Sequence, residues 1–260
     1  MYFIDVQGTL IDDEKMLPIA GAIEFINTLN KKNIPYVIIT NNTKHESHKF
    51  LEYLNSIGFD ISESRYLDPL MVLKSVVKDE SVAVFGNSEF KQIVLDLGLK
   101  IDTQNPKILL VGLKKDYTNE DYADMIEYIL KGAKILGIHA TSLYNKDNKR
   151  YPGVGAILNM LKSATGSDFE VVGKSSKLFY KTALEKLNCD DFSKVTIISD
   201  DLIGDLIGAK ELFMKTIFVL SGKHKTKDEI IPKISQSNYP DLIFDSINDL
   251  NKGVCCESIS

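Results

Sequence analysis

The chain has 260 residues, 44% of them hydrophobic and 26% charged, with 31 Lys and Arg against 36 Asp and Glu and a formal charge of -5. Domains run to about 100–200 residues, so this length means one large domain or two smaller ones, and the apolar share with only 16 Gly and 7 Pro excludes a collagen-like or disordered chain. Mild acidity argues against a nucleic-acid binder, which would show clustered basic residues, and the short stretches Lys31–Lys32 and Lys223–Lys227 read as solvated surface.

Short β-branched runs alternate with stretches of helical period, the pattern of an α/β fold. Tyr2–Val6 is an apolar run closing in the turn Asp5-Val6-Gln7-Gly8-Thr9. Over Pro18–Asn30 the residues Ile19, Ala22, Ile23, Ile26 and Leu29 recur at helical spacing. Ile34–Thr40 is a continuous apolar strand ending at Asn41-Asn42, and His45–Ile57 is an amphipathic helix closed by Gly58. Apolar runs without alternation suit parallel strands covered on both faces. Val82–Phe85 and Lys107–Val111 are further strands, and Asn119–Lys131 a helix with Thr118 or Asn119 as its N-cap and Gly132 behind it. Val154–Thr165 and Phe179–Leu187 read as helices, and Glu170–Val172 as a short strand running into Gly173-Lys174. Val195–Ser199 is a strand ending at Asp200-Asp201, followed by a helix over Asp205–Leu212 and strands at Thr216–Leu220 and Leu242–Phe244.

No apolar run approaches the roughly 18–20 residues that span a bilayer, and Met1-Tyr2-Phe3-Ile4-Asp5 lacks the features of a signal peptide. Cys189, Cys255 and Cys256 make neither a disulfide framework nor a metal-ligand spacing, and the adjacent pair reads as free thiols. His45 and His48 could share a helix face, but no second pair or cysteine accompanies them to make a zinc site. The expectation is a cytoplasmic protein without membrane or nucleic-acid partners.

Four strand ends carry polar groups, Asp5, Thr40, Lys174 and Asp200, and in open parallel sheets ligands sit outside the carboxyl ends of the strands. Asp5, before Gly8-Thr9, can be a nucleophile on phosphorus, a ligand for a hard cation, or a carboxylate capping a turn. Thr40-Asn41-Asn42 offers the hydroxyl, amide and N–H donors that a phosphate wants at a helix N-terminus, or simply an N-cap. Lys174 can neutralise a carboxylate and a phosphoryl group together, or stand solvated. Asp200, Asp201 and Asp205 repel one another unless a cation such as Mg²⁺ is present; the alternative is an acidic loop with Asp205 as a helix N-cap.

The order of these groups resembles the haloacid dehalogenase superfamily of phosphotransferases. Asp5-Val6-Gln7-Gly8-Thr9-Leu10 is similar to its first motif, Thr40 to its second, Lys174 to its third, and Asp200 with Asp205 to its fourth. Thr40-Asn41-Asn42, Tyr151-Pro152-Gly153-Val154-Gly155-Ala156-Ile157, Val172-Gly173-Lys174 and Pro240-Asp241-Leu242-Ile243 resemble strings of the NagD-like or 4-nitrophenylphosphatase branch. The resemblance implies a Rossmann-like parallel-sheet core, residues 1–78 and 173–260, interrupted by a smaller α/β cap, residues 79–172, that closes over the site. It makes Asp5, Gln7, Thr40 and Lys174 the catalytic positions. Thr40, Asn41, Asn42 and Lys174 become the phosphate-binding set, and Asp5, Gln7 (through its backbone carbonyl), Asp200 and Asp205 the surroundings of Mg²⁺. His139–Gly155 would face the substrate, a small phosphorylated metabolite. Where relatives often show Asn-Pro-Asp, this chain has Ser142-Leu143-Tyr144-Asn145. Cap-mediated homodimers occur among such proteins, and the sequence leaves oligomeric state open.

One departure matters for the chemistry. Phosphatases of this superfamily carry a second aspartate two residues after the nucleophile, which protonates the leaving alkoxide and then deprotonates the attacking water. Here that position is Gln7, and an amide does neither, although positioned acid–base catalysis is worth about 10²–10⁴-fold. Three readings follow: a phosphatase slow on alkyl esters; one whose substrate has a leaving group needing no proton, such as an acyl phosphate, phosphoramidate, anhydride or activated aryl phosphate; or a phospho-ligand binding protein without turnover. Related ion-pumping ATPases place a Thr here and still form the aspartyl-phosphate, which favours retained phosphotransfer. No G-x-G-x-x-G follows the first strand, so an oxidoreductase is disfavoured.

Overall fold

Uninterrupted apolar runs such as Phe3-Ile4 and Val37-Ile38-Ile39 have no polar face to give to water, so the strands they form must be covered on both sides. The computed structural model describes residues 1–43, 45–146 and 149–255. In chain order the elements are β1 (Tyr2–Asp5), α1 (Ala22–Lys31), β2 (Tyr36–Ile39), α2 (Ser47–Ser56), β3 (Tyr66–Leu67), α3 (Pro69–Val77), β4 (Val82–Phe85), α4 (Ser88–Asp96), β5 (Ile108–Val111), α5 (Asn119–Leu130) and β6 (Lys134–Gly137). There follow the hairpin strands β7 (Leu143–Lys146) and β8 (Lys149–Pro152), α6 (Val154–Thr165), β9 (Phe169–Val171), α7 (Lys177–Lys186), β10 (Thr196–Ser199), α8 (Ile207–Glu211), β11 (Lys215–Val219), β12 (Leu242–Phe244) and α9 (Ile247–Cys255). Cys256 and the side chain of Cys255 lie outside the described residues, as do Asp147 and Asn148 within the stretch expected to face substrate.

The chain divides into two compact units, one of residues 1–40, 48–67 and 180–260, the other of residues 41–47 and 68–179. The first holds a six-stranded parallel sheet in the order β12-β11-β10-β1-β2-β3. From β1 the chain moves one way to β2 and β3 and later the other way to β10, β11 and β12, so the order reverses between β1 and β10. Phe3, Ile4, Val37, Ile38, Ile197 and Ile198 are buried without residue. Phe3 also stacks face to face on Tyr180, ring centroids 6.0 Å apart.

The second unit holds a four-stranded parallel sheet, β4-β5-β6-β9, and the antiparallel pair β7-β8. Of the two N-cap candidates for α5 the cap is Thr118, and it forms a capping box: its hydroxyl accepts from the Asp121 N–H at 3.1 Å, and the Asp121 carboxylate accepts from the Thr118 N–H at 2.8 Å. In the hairpin Tyr144 faces Tyr151, rings 5.5 Å apart, with the Lys115 ammonium 5.1 Å from the Tyr151 ring centroid.

The expected fold class is the observed one, with differences at elements whose pattern is weak. β3 is two residues long, and the hairpin reads LYNK and KRYP, which lacks an apolar alternation. α3 is apolar nearly all round, which hides its period, and α9 carries an internal Gly253. α4 was not among the expected elements, although Asn87 marks its start, accepting from the Phe90 N–H at 2.9 Å. The helix expected over Asp205–Leu212 starts earlier, as a π turn over Leu202–Leu206, and its cap is Asp201, which accepts from the Gly204 N–H at 2.9 Å.

Two predictions follow from this packing. Phe3→Ala removes a stacked, fully buried ring and should destabilise the chain by about 3–5 kcal/mol in urea unfolding. His139, at the end of β6, has a buried Nδ1 with no hydrogen-bond partner among the described residues, and burial pushes its pKa down to about 4 from 6.5. The unfolded chain therefore binds more protons between those values, and stability should fall as pH drops from about 6.5 to 4, by on the order of 1–3 kcal/mol. Urea titrations at pH 7 and pH 4.5 should show that excess loss in the parent chain and not in His139→Phe.

Candidate active site

Register decides which strand ends meet. β10, β1 and β2 are consecutive neighbours, with Ile4 opposite Ile198 and Asp5 opposite Ile39. Asp5, the last residue of β1, is thus flanked by Thr40 just past β2 and by Asp200 just past β10. This is the carboxyl edge of the sheet at the point where strand order reverses, the place where open α/β sheets hold ligands.

Asp5 and Asp200 are 2% and 1% exposed, so two like charges sit deep at adjacent strand ends. Thr9 joins them. Its hydroxyl donates to Asp5 Oδ2 at 3.1 Å and accepts from the Asp200 N–H at 3.1 Å. The tight turn that brings Thr9 back is closed by three N–H groups, of Thr9, Leu10 and Ile11, on the Val6 carbonyl. Gly8 takes φ +74° in that turn, and a Cβ there would collide with the Asp200 carboxylate. A second loop, Ser221-Gly222-Lys223 after β11, packs on the same carboxylate. The Lys223 N–H donates to Asp200 Oδ2 at 2.8 Å, Ser221 Oγ donates to the Gly8 carbonyl at 2.8 Å, and a Cβ on Gly222 would also strike Asp200.

Asp205 is 2% exposed and accepts from Ser199 Oγ at 2.6 Å, while Ser199 Oγ accepts from the Asp201 N–H at 3.0 Å. The Asp205 carboxylate thereby ties the acidic loop to the end of β10. Lys223 is exposed, as expected of its basic stretch, and its ammonium pairs with Asp201. Burial alone would lower the Lys223 pKa, but the Asp201 pair, together with the charges of Asp200 and Asp205, outweighs it and raises the value. The partner lies 22 residues away in sequence, so nothing local marks the pair.

Gln7 is half-buried beside the turn, and its Oε1 accepts from the Thr40 hydroxyl at 2.8 Å. Thr40 is wholly buried. The first unit therefore brings together Asp5, Gln7, Thr40, Asp200 and Asp205. Asn41, Asn42 and Lys174 belong to the second unit. There Asn41 Oδ1 accepts from the Lys174 N–H at 2.8 Å, and Lys174 is 8% exposed. The Asn42 amide brackets the His45 backbone, donating to its carbonyl at 2.7 Å and accepting from its N–H at 3.2 Å.

Thr9, Ser221 and Gly222 were given no role from sequence. Ser221-Gly222 follows the buried run Thr216–Leu220, so the rule that singled out the other strand ends was available for it too. Among the described residues no three His, Cys, Asp or Glu side chains gather into a ready cation cage. Two carboxylates and a backbone carbonyl are nonetheless the kind of partial oxygen set that suits a cation keeping several waters, and buried Asp5 and Asp200 supply the charge.

Known proteins match this arrangement along the chain. Residues 2–100 match the family model described as haloacid dehalogenase-like hydrolase, and residues 171–250 match one described as HAD-hydrolase-like. The human phospholysine phosphohistidine inorganic pyrophosphate phosphatase is 26% identical over 256 residues, covering 94% of this chain and 92% of that protein. The bovine haloacid dehalogenase-like hydrolase domain-containing protein 2 is 28% identical over 237 residues, covering 91% and 89%. In structure, p-nitrophenyl phosphatase from Archaeoglobus fulgidus superposes with a TM-score of 0.82 at 23% identity, covering 97% of this chain and 98% of the other. NagD from E. coli gives 0.76 at 22% identity, covering 95% and 96%. The chain belongs to the haloacid dehalogenase-like hydrolases. Its fold is that of these p-nitrophenyl phosphatase and NagD structures.

The Thr9 bridge gives a stability test. Thr9→Val keeps the shape but leaves the Asp5 carboxylate and the Asp200 N–H without this partner, so unfolding free energy should drop by about 1–3 kcal/mol. Urea unfolding should show that loss, whereas Thr9→Ser should recover most of it.

Proposed function

We propose that this chain is a Mg²⁺-dependent phosphatase of small phosphorylated metabolites, working through an aspartyl-phosphate on Asp5 and suited to leaving groups that depart without a proton. The observation that carries the reading is the pair formed by Asp5, held by Thr9 at the switch point of the sheet, and Gln7, which offers an amide where an acid would be needed for alkyl esters. The human relative is named for P–N and P–O–P substrates, which supports an activated phosphoryl donor. The reading takes the protein as soluble, and no helix among the described residues is long and apolar enough to cross a membrane.

In this scheme Asp5, the Gln7 carbonyl and Asp200 would hold Mg²⁺, which supplies positive charge against the phosphoryl oxygens and the carboxylates. Thr9 fixes the rotation of the Asp5 carboxylate, so its oxygen meets phosphorus without first reorganising. That oxygen attacks, the bond from phosphorus to the leaving group breaks with its electron pair on the leaving group, and water then opens the aspartyl-phosphate. Asp205 acts at one remove, by holding the loop that carries Asp200. Lys174 takes the charge-neutralising role and Asn41 and Asn42 the phosphate-donor role that the family resemblance gives them.

Acid-quenched samples taken during turnover of acetyl phosphate should carry a phosphoryl group on the peptide containing Asp5. Asp5→Asn should abolish both that label and phosphate release, a fall of at least about 10³-fold as for loss of a nucleophile, and EDTA should silence the parent chain until Mg²⁺ is restored. Full activity in Asp5→Asn would overturn the scheme.

A further inference from the structure

The hydrogen bond between Gln7 and Thr40 narrows the substrate class further. The Thr40 hydroxyl is wholly buried and donates to Gln7 Oε1 at 2.8 Å. Gln7's backbone is itself pinned, since it bridges to Ile11 and the next N–H, of Gly8, donates to the Ile11 carbonyl at 2.8 Å. With Oε1 taken up by Thr40, the donor group of the amide, Nε2, makes no hydrogen bond to the described residues. Two residues from Asp5, then, stands a half-buried donor that is neutral at every working pH and has no proton to release.

We propose that Gln7 is a specificity-determining residue whose Nε2 donates to the oxygen that leaves phosphorus, so that the substrate is a mixed anhydride of phosphate, either an acyl phosphate or a phosphoanhydride. This rests on the phosphatase reading above and chooses among the leaving groups it allows. In the first step an Asp5 oxygen forms a bond to phosphorus. The bond between phosphorus and the bridging oxygen breaks, and that oxygen keeps the electron pair and leaves as carboxylate or phosphate. A donor aimed at an oxygen that gains charge in the transition state stabilises it without proton transfer. In the second step water adds to the phosphorus of the aspartyl-phosphate, Asp5 leaves as carboxylate, and the surplus proton goes to solvent.

The same donor selects against the other candidates. An alkoxide leaving group needs a proton that the amide cannot give. A phosphoramidate protonated on nitrogen, with ammonia or an alkylamine as leaving group, presents N–H groups to the Gln7 N–H groups, and the lone pair it gains points back along the breaking bond to phosphorus. Donor then faces donor. A site with a fixed hydrogen-bonding sense rejects the mismatched partner strongly, because the groups brought together stay unpaired.

The test is phosphate release by the Mg²⁺-loaded full chain and by Gln7→Leu, with acetyl phosphate, inorganic pyrophosphate, phosphoramidate and β-glycerol phosphate as probes. The parent should show higher kcat/KM on acetyl phosphate or pyrophosphate than on phosphoramidate, and little on the alkyl ester. Gln7→Leu should lower kcat/KM on the anhydrides by about 10-fold or more, mainly in kcat, and raise it on phosphoramidate by relieving the mismatch, a split that general damage to the fold would not give. The ranking within the parent chain stands as a test even if Gln7→Leu fails to fold. A parent that prefers phosphoramidate, or a Gln7→Leu loss equal on all probes, overturns the Gln7 assignment and leaves the phosphatase reading standing. Release from no probe overturns both.

Discussion

Two carboxylates, Asp5 and Asp200, lie almost fully buried at the ends of adjacent parallel strands, and much of the first unit is arranged around that repulsion. Charges so placed cost free energy unless they are hydrogen-bonded and offset. Thr9 supplies one part, bonding the Asp5 carboxylate and the Asp200 N–H through a single hydroxyl. The Ser221–Lys223 loop supplies another, giving Asp200 a backbone N–H. The Lys223 ammonium answers the neighbouring Asp201 and feels Asp200 and Asp205 as well. Gly8 and Gly222 are required because two chain segments close on one carboxylate with no room for a Cβ. Such an arrangement is poised to gain from a divalent cation, since the protein groups hold the carboxylates in place without cancelling their charge.

The sheet topology explains why the constraint arises where it does. A parallel sheet brings all its strand ends to one edge, and reversal of strand order between β1 and β10 opens a crevice there. The strands are short, four residues in β1, β2 and β10, and apolar in their interiors, Phe3-Ile4, Val37-Ile38 and Ile197-Ile198. Polar residues are therefore excluded until the strand ends, and Asp5, Thr40 and Asp200 emerge together. Position along the strand, rather than sequence proximity, is what assembles the site.

This accounts for what could be read from sequence. Asp5, Thr40 and Asp200 stood out because each terminates an apolar run, and a run's end is a local signal. The parallel sheet was legible for the same reason. Thr9 was visible in the first turn, but its role depends on reaching Asp200, a partner 191 residues away that only the strand order brings near. Lys223 is exposed as its basic stretch suggested, and only its pairing with Asp201 had no local mark. The hairpin β7-β8 was missed because its polar residues carry no alternation, its tyrosine pair being recognisable only once the register is known. Asp205 was expected either near a cation or as a helix cap. The cap is Asp201, and the π turn that follows it puts the Asp205 carboxylate against Ser199.

Gln7 fits the electrostatics of this edge as well as its chemistry. An aspartate in its place would add a fourth carboxylate to Asp5, Asp200 and Asp205, and would ionise at the expense of the others or draw its own pKa upward. The amide removes that titration. It also changes what Thr40 meets: its hydroxyl donates to a neutral amide oxygen rather than to a carboxylate. An amide cannot transfer a proton to an alkoxide, so under the proposed scheme the position would serve a leaving oxygen able to carry its own charge, and loss of generality and gain of selectivity would follow from one side chain.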